Sequence, residues 1–197
     1  MIRTFVAVEL DASLRQALAQ AQTKLRSQLQ RTLGPDVRIQ WVKPESVHLT
    51  LKFLGDIPED RVPDVQAALT RAAGGHGRFT VTVEGLGVFP DFRAPRVVWV
   101  GMTAQADAVK RLAADVESAL GAIGFASEQK PFHPHLTLAR IKERSPEVGR
   151  AMSAGGLLTP EVKLGEFTVS AVSLMKSDLK PSGPVYTRLC HVPLKEA

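Results

Sequence analysis

The sequence predicts an α+β fold made of two similar halves that face each other across a shared cleft. Runs of β-branched and aromatic residues alternate along the chain with amphipathic segments of helical period. The tetrapeptide His-Leu-Thr-Leu occurs twice, at residues 48–51 and 135–138, 87 residues apart. The similar pentapeptides 79–83 and 167–171 are 88 residues apart, nearly the same offset. An internal duplication explains both repeats, and we expect one bilobal domain over residues 1–197 with halves of about 1–100 and 101–197.

Composition limits the classes of protein that this chain can be. Its 197 residues are 44% hydrophobic and 23% charged, which is typical of a globular domain. The net charge of +5 suits an anionic partner such as nucleic acid, although it does not require one. The single cysteine, Cys190, excludes an internal disulfide framework and a Cys-rich zinc site. The single cysteine fits a reducing cytoplasm, and the N-terminal apolar run, broken by Glu9, is too short to span a membrane. We expect a cytoplasmic protein with no membrane attachment, and a monomer, although nothing in the composition determines the oligomeric state.

The order of elements follows from hydrophobic period and from helix-capping signals. Asp11 is the expected N-cap of the first helix, and strand 96–100 is the expected antiparallel partner of strand 79–83. Counting strand 96–100 as the end of the first half leaves the second half without a first strand of its own, so that strand is either missing or contributed by the other lobe. The expected strands are 3–9, 38–42, 47–54, 79–83, 96–100, 133–141, 167–171 and 185–192. The expected helices are 12–31, 58–74, 106–122 and one that begins at Ser145 and ends at Gly155-Gly156.

The two motif strands carry the candidate functional side chains. Successive side chains of a strand point to opposite faces, so each motif puts its histidine and threonine on one face and its two leucines on the other. The leucines can then be buried while the other face lines a cleft. Lys52 is four residues after His48 and shares its face if the strand is regular. Arg140 is five residues after His135, so it needs a bulge or a strand end to turn inward.

Two histidines in one cleft can divide the work of acid–base catalysis. With ordinary pKa values near 6.5, one imidazole can accept a proton while the other donates one. Cleavage of a phosphodiester needs this division, because the attacking hydroxyl loses a proton and the departing oxygen gains one. Thr50 and Thr137 can donate hydrogen bonds to the non-bridging phosphate oxygens. The sequence near either motif contains no cluster of carboxylates, so no metal ion is required.

Structural explanations of the same residues remain open at this point. A single His-x-Thr in a strand is most often a packed, hydrogen-bonded pair, and it is the recurrence that favours catalysis. His133 and His135 could instead be two ligands of a metal ion, although the sequence offers no evident third ligand. Trp41 and Trp99 are expected to pack rather than to stack on bases. His76 is expected in a solvated loop.

At these residues the chain resembles the two-histidine phosphoesterase superfamily. It is most similar to the bacterial and archaeal RNA 2′,3′-cyclic phosphodiesterases, also called 2′-5′ RNA ligases. That superfamily is defined by two His-x-Thr/Ser-x motifs, which here are His48-Leu49-Thr50-Leu51 and His135-Leu136-Thr137-Leu138. The flanks Trp41-Val42-Lys43-Pro44-Glu45, Pro131-Phe132-His133-Pro134 and Ala139-Arg140 also resemble the family, as do Arg3–Leu10 and Gly183–Tyr186.

The resemblance implies a bilobal fold in which two antiparallel sheets face each other across a central cleft, with helices packed outside. It also implies metal-independent hydrolysis of a terminal 2′,3′-cyclic phosphate on RNA, or on cyclic nucleotides, to a 2′-phosphomonoester. By family analogy His48 is the proton donor and His135 the proton acceptor. Thr50, Thr137 and Arg140 bind the substrate, and Lys52 is added to them on the strength of its position. A 2′-5′ RNA ligase and a non-catalytic nucleotide- or RNA-binding module remain as alternatives.

Overall fold

A computed structural model describes residues 1–154, 163–181 and 183–196, and over these residues the fold is α+β. The strands are β1 (Ile2–Glu9), β2 (Ile39–Trp41), β3 (His48–Ile57), β4 (Phe79–Phe89), β5 (Val97–Met102), β6 (His135–Ile141), β7 (Lys163–Val169), β8 (Ala171–Lys180) and β9 (Gly183–Pro193). The helices are α1 (Ala12–Leu33), α2 (Val62–Ala73), α3 (Ala106–Gly121) and α4 (Ser145–Ala154).

The strands pair antiparallel in the order β7-β4-β5-β6-β3-β1-β8-β9, with β2 added on β6. The sheet consists of two four-stranded lobes, β3-β1-β8-β9 and β7-β4-β5-β6. They are joined between β3 and β6 by the pairing of Leu49 with Leu136. The predicted α+β, duplicated fold is therefore confirmed. What we expected as two separate sheets is one curled sheet, continuous through this short contact.

The two halves of the chain exchange strands between the lobes. Strands β8 and β9 complete the lobe that begins with β1 and β3, whereas β4 and β5 lie in the lobe of β6 and β7. Strand β5 pairs with β6 in the way that β1 pairs with β3. Strand β1 is followed directly by α1, and β5 is followed directly by α3. Strand β5 thus supplies the first strand that we expected the second half to lack.

The helices cover the outer face of each lobe and bury the leucine side of the motif strands. Helices α2 and α3 pack on the first lobe, and α1 and α4 pack on the second. Helix α1 begins as expected, since the carboxylate of Asp11 accepts a hydrogen bond from the Leu14 amide at 2.8 Å. Gln22 of α1 is buried, and its side-chain amide donates to the carbonyls of Val42 and Leu138. This amide therefore fixes α1 against the strand that carries the second motif.

The observed boundaries differ from the expected ones mainly in the strands: β3 and β4 extend further than expected, β2 and β6 are shorter, and β8 was not expected. Strand β3 continues through Gly55, where φ is 73°, and ends at Ile57, so Gly55 lies inside a strand and not in a turn before α2. Glycine tolerates this positive φ, which bends the strand end without terminating it. The expected end of α4 at Gly155-Gly156 lies outside the described residues. No helix of the described ranges is long and apolar enough to cross a membrane.

Candidate active site

The same irregularity occurs in both motif strands, immediately after the motif threonine. Between β1 and β3, Ala7 pairs with Thr50 but Val6 pairs with Lys52, so Leu51 is an extra residue in β3. Such a β-bulge reverses the alternation of faces for the residues that follow it. The cleft face of β3 therefore carries His48, Thr50 and then Phe53, which is five residues after the histidine.

Strand β6 repeats this arrangement. Trp99 pairs with Thr137 and Val98 pairs with Ala139, so Leu138 is the extra residue. The cleft face carries His135, Thr137 and then Arg140, which is exposed, whereas Ala139 is fully buried. The bulge that Arg140 needed in order to turn inward is thus present. Arg140 and Phe53 occupy corresponding places in the two lobes.

Lys52 does not share the face of His48, contrary to our expectation, because the bulge at Leu51 turns it to the other side. It is only 6% exposed. Its ammonium donates to the carboxylate of Glu117 on α3, at 2.6 and 2.7 Å, and to the carbonyl of Ala126 at 2.8 Å. Lys52 therefore attaches α3 and the segment after it to the motif strand, and it is not among the residues that line the cleft.

The cleft contains a cavity of about 600 Å³ into which both motifs open. Both histidines, both threonines and Arg140 line it. The pairing of Leu49 with Leu136 explains this convergence, because these leucines point into the core and their neighbours point the opposite way. The apolar and aromatic lining includes Trp41, Val42, Phe53, Leu179, Pro184 and Tyr186.

The ring of each motif histidine contacts the backbone carbonyl of the residue two positions before it. Nδ1 of His48 is 2.8 Å from the carbonyl oxygen of Ser46, and Nδ1 of His135 is 2.7 Å from that of His133. A carbonyl oxygen can only accept a hydrogen bond, so Nδ1 carries the hydrogen in both rings. In the neutral form Nε2 is then the free lone-pair nitrogen, on the side of the ring away from the backbone. The two imidazoles are therefore matched in tautomer.

Aromatic side chains hold both rings in place. The ring of His48 stacks on Phe5 with centroids 4.6 Å apart and meets the edge of Tyr186 at 5.1 Å. The ring of His135 meets Phe89 at 5.1 Å and Trp99 at 6.2 Å in edge geometry. Sequence reasoning did not assign roles to Phe5 and Phe89. Phe5 lies on β1, which pairs with the first motif strand, whereas Phe89 lies on β4, which is separated from β6 by β5.

Burial lowers the pKa of both histidines below the ordinary value of 6.5. For His48 the burial effect is opposed by the Ser46 carbonyl and by the negative charge of Glu9, whereas Arg140 adds to it. For His135 it is opposed by the His133 carbonyl, whereas His133 and Arg140 add to it. Both rings are therefore neutral at pH 7 in the free protein. A bound phosphate would favour protonation of one of them by opposite charge.

The other histidines and tryptophans that the sequence analysis weighed take different positions. His133 lies beside His135 with ring centroids 6.4 Å apart, and the described residues contain no group of three His, Cys, Asp or Glu side chains suited to a metal ion. Trp99 packs as expected, since a Cβ on Gly87 would lie 2.3 Å from its ring. Trp41 lines the cavity. Nε2 of His76 is 2.7 Å from the carboxylate of Asp115.

Comparison with known proteins identifies the family of this chain. A family model described as LigT-like phosphoesterase matches the chain twice, over residues 8–99 and 100–186. An RNA 2′,3′-cyclic phosphodiesterase of Thermus thermophilus is 40% identical over 195 residues, covering 95% of this chain and 88% of that protein. One of Methanothermobacter thermautotrophicus is 34% identical over 186 residues, covering 94% and 95%. The crystal structure of Escherichia coli LigT complexed with 3′-AMP superimposes with a TM-score of 0.72 at 26% identity, covering 99% of both chains.

The chain belongs to the LigT-like phosphoesterases. The resemblance to the two-histidine phosphoesterase superfamily that the paired motifs indicated is thereby confirmed.

Proposed function

We propose that this protein is an RNA 2′,3′-cyclic phosphodiesterase that opens the terminal cyclic phosphate to a 2′-phosphomonoester. The observation that carries this proposal is the convergence of two tautomer-matched histidines on one cavity. Relatives over nearly the whole chain carry the same activity in their names, and a related structure holds a nucleotide. The substrate is an RNA 3′ end or a small cyclic nucleotide.

The two histidines act as a base and an acid on opposite sides of the phosphorus. Nε2 of His135 takes a proton from water as the water oxygen bonds to phosphorus. The bond from phosphorus to O3′ breaks, and the proton on Nε2 of His48 passes to O3′. The products are a 2′-phosphate and a free 3′-hydroxyl. Exchange of protons with solvent returns both rings to their starting states.

Thr50 and Thr137 bind the non-bridging phosphate oxygens. Both threonines line the cavity together with both histidines, and the pairing of Leu49 with Leu136 turns these four side chains to the cleft face. Hydroxyls on this face can reach a phosphate that lies between the two imidazoles. Hydroxyl donors aimed at these oxygens stabilise the charge that grows on them in the transition state.

Arg140 supplies positive charge beside the two histidines. It lines the same cavity, as Arg3 and Lys43 do, and it acts electrostatically on both histidines. Its exposed guanidinium can move to a phosphate oxygen when the substrate binds, and a charge-assisted hydrogen bond of this kind is stronger than a neutral one. Lys52 is left out of the proposed site, because its ammonium is committed to Glu117 on the other side of the sheet.

We propose that the reaction needs no metal ion, since the acid, the base and the charge-stabilising donors are all side chains of the cavity. The test is hydrolysis of 2′,3′-cyclic AMP and of an RNA oligonucleotide ending in a 2′,3′-cyclic phosphate, with and without EDTA. We expect a 2′-phosphate product at an unchanged rate in EDTA. A 3′-phosphate product, or loss of turnover that zinc restores, would contradict the proposal.

The reverse reaction uses the same groups, because microscopic reversibility requires the acid of one direction to be the base of the other. A second RNA bearing a 5′-hydroxyl, added to the cyclic-phosphate substrate, measures this joining directly. Hydrolysis in large excess over 2′-5′ joining supports the phosphodiesterase. Binding of the oligonucleotide with neither product would point to a non-catalytic RNA-binding module.

A further inference from the structure

Glu9 ends strand β1 beside the first motif histidine. Strand β1 lies between β3 and β8, and the backbone partner of Glu9 on β3 is His48. Side chains of directly opposed residues in an antiparallel pair lie on the same face and close together. Glu9 therefore lies on the same face of the sheet as His48, and it lines a neighbouring pocket together with Ser173 and Arg188.

The carboxylate of Glu9 is held from the side away from His48. Its Oε2 accepts a hydrogen bond from Ser173 Oγ at 2.9 Å and from Arg188 Nη1 at 3.0 Å. Ser173 is only 1% exposed, and its Oγ is also 3.2 Å from Nδ1 of His191. Burial acts to raise the pKa of Glu9, but the hydrogen bonds from Ser173 and Arg188 outweigh it and lower the pKa. Glu9 is thus a fixed anion at neutral pH.

The corresponding place in the other lobe has no side chain. Strand β5 pairs with β6 as β1 pairs with β3, and the backbone partner of His135 is Gly101. The two halves agree in histidine, threonine, bulge and backbone hydrogen bond, but they differ here, as they do at Phe53 and Arg140. Equivalent histidines would give no reason for one of them to be the acid, and Glu9 is an anion beside only one of the two.

We propose that Glu9 is a positioning residue that makes His48, rather than His135, the proton donor, because its anchored negative charge retains a proton on the neighbouring imidazole. This inference rests on the proposed function, in which one imidazole must be protonated and the other neutral. Glu9 acts through His48 and does not touch the substrate. The electrostatic effect of Glu9 on His48, which raises the pKa of that ring against burial, agrees with the assignment.

Arg140 lowers the pKa of both rings, so it does not retain a proton on His48. His133 lowers the pKa of His135, so it acts in the same sense as Glu9 but on the other ring. Charged or titratable groups lie on every element around His48: Arg3 and Glu9 of β1, Lys43 and Glu45 at the turn 44–46, Lys52 and Asp56 of β3, His135 and Arg140 of β6, Lys176, Asp178 and Lys180 of β8, and Tyr186, Arg188, Cys190 and His191 of β9. Asp178 is paired with Lys176. Glu9 is the carboxylate whose charge raises the pKa of His48.

The direct test is an NMR titration of the two motif imidazoles, assigned with His48→Gln and His135→Gln. In Glu9→Gln we expect the pKa of His48 to fall while that of His135 stays in place. In Arg188→Gln we expect the pKa of His48 to rise, because the carboxylate of Glu9 loses its counter-charge and the cationic guanidinium is removed. Glu9→Asp keeps the charge and should restore most of the wild-type value. Opposite signs for Glu9→Gln and Arg188→Gln separate electrostatics from general loss of structure, which would move both variants alike.

Kinetics on 2′,3′-cyclic AMP give the second readout. Without Glu9 the single proton is shared with His135, so kcat/KM at the optimum falls, by less than the loss of about 10²–10⁴-fold expected from removing the acid. The alkaline limb of the pH profile moves to lower pH. An unchanged His48 pKa in Glu9→Gln, or equal shifts in both imidazoles, would overturn the inference. Lack of turnover by the wild-type protein would instead refute the proposed function, and the titration would still decide the role of Glu9.

Discussion

Leu49 and Leu136 pair across the junction between β3 and β6, where the two lobes of the sheet meet. Both leucines are at most 1% exposed, and they anchor the junction in the core. Alternation along each strand then turns the motif histidines and threonines to the cleft. One backbone pairing between buried residues thus brings two distant motifs to one cavity.

Removal of either motif imidazole is expected to abolish most of the activity. His48→Ala and His135→Ala should each lower kcat/KM on 2′,3′-cyclic AMP by about 10²–10⁴-fold, the usual contribution of general acid or base catalysis. His76→Ala is the matched control, because that ring lies outside the cavity and pairs with Asp115. A variant of either motif histidine that turned over at the rate of the control would rule out the acid–base pair.

The threonine hydroxyls should matter more than their methyl groups. Thr50→Val and Thr137→Val retain shape and β-branching but lose the donor, and kcat/KM should fall about 10–10³-fold, as for the loss of a donor to a developing oxyanion. Thr50→Ser and Thr137→Ser retain the hydroxyl and should stay within a few-fold of wild type. If serine and valine variants proved equally impaired, the threonines would be packing residues instead.

The pH dependence should show two lowered pKa values. Turnover needs one protonated and one neutral imidazole, so kcat/KM should follow a bell with its maximum below pH 6.5, because burial lowers the pKa of both rings in the free protein. The phosphate of bound substrate raises these pKa values, so the profile of kcat should lie at higher pH than that of kcat/KM. A kcat/KM maximum well above pH 7 would show that burial does not control these groups.

The same lowered pKa values predict how stability varies with pH. Between the folded pKa values and 6.5 the unfolded chain binds more protons at these two positions, so the stability that they contribute rises with pH and is lost as pH falls through that window. Urea denaturation at several pH values measures this change in the free energy of unfolding. The double variant with glutamine at both positions should show a weaker dependence between pH 5 and 7.

Substitutions that break the ion pair of Lys52 should lower stability and leave catalysis unchanged. Glu117→Ala leaves the ammonium of Lys52 buried without its carboxylate and should cost about 2–4 kcal/mol, whereas Lys52→Met leaves only the part-exposed Glu117 and should cost about 1–2 kcal/mol. Neither substitution should change KM. A large loss of activity in folded Lys52→Met would show that Lys52 belongs to the active site.

Arg140→Ala should leave stability intact and lower kcat/KM about 10–100-fold, as expected for a hydrogen bond to a charged group. Arg140→Lys should recover part of the loss.

Sequence alone determined the local features of this protein: the faces of the motif strands, the start of α1 and the family motifs. The motif period placed His48 and Thr50 on the face opposite to Leu49, and Asp11 marked the start of α1, because alternation and capping depend only on neighbouring residues. The paired motifs also identified the family. These features are encoded within a few residues of where they act, and they could be predicted before any fold was known.

The tertiary structure decided which side chains after the motifs enter the cleft. The bulges at Leu51 and Leu138 turn Lys52 away and Arg140 inward, and a bulge is a mismatch between two strands that one strand alone does not show. Pairing across strands likewise set Glu9 beside His48 and Gly101 beside His135, although the residues of each pair are more than thirty positions apart in the sequence. The difference between the two halves therefore became visible only when the register of neighbouring strands was known.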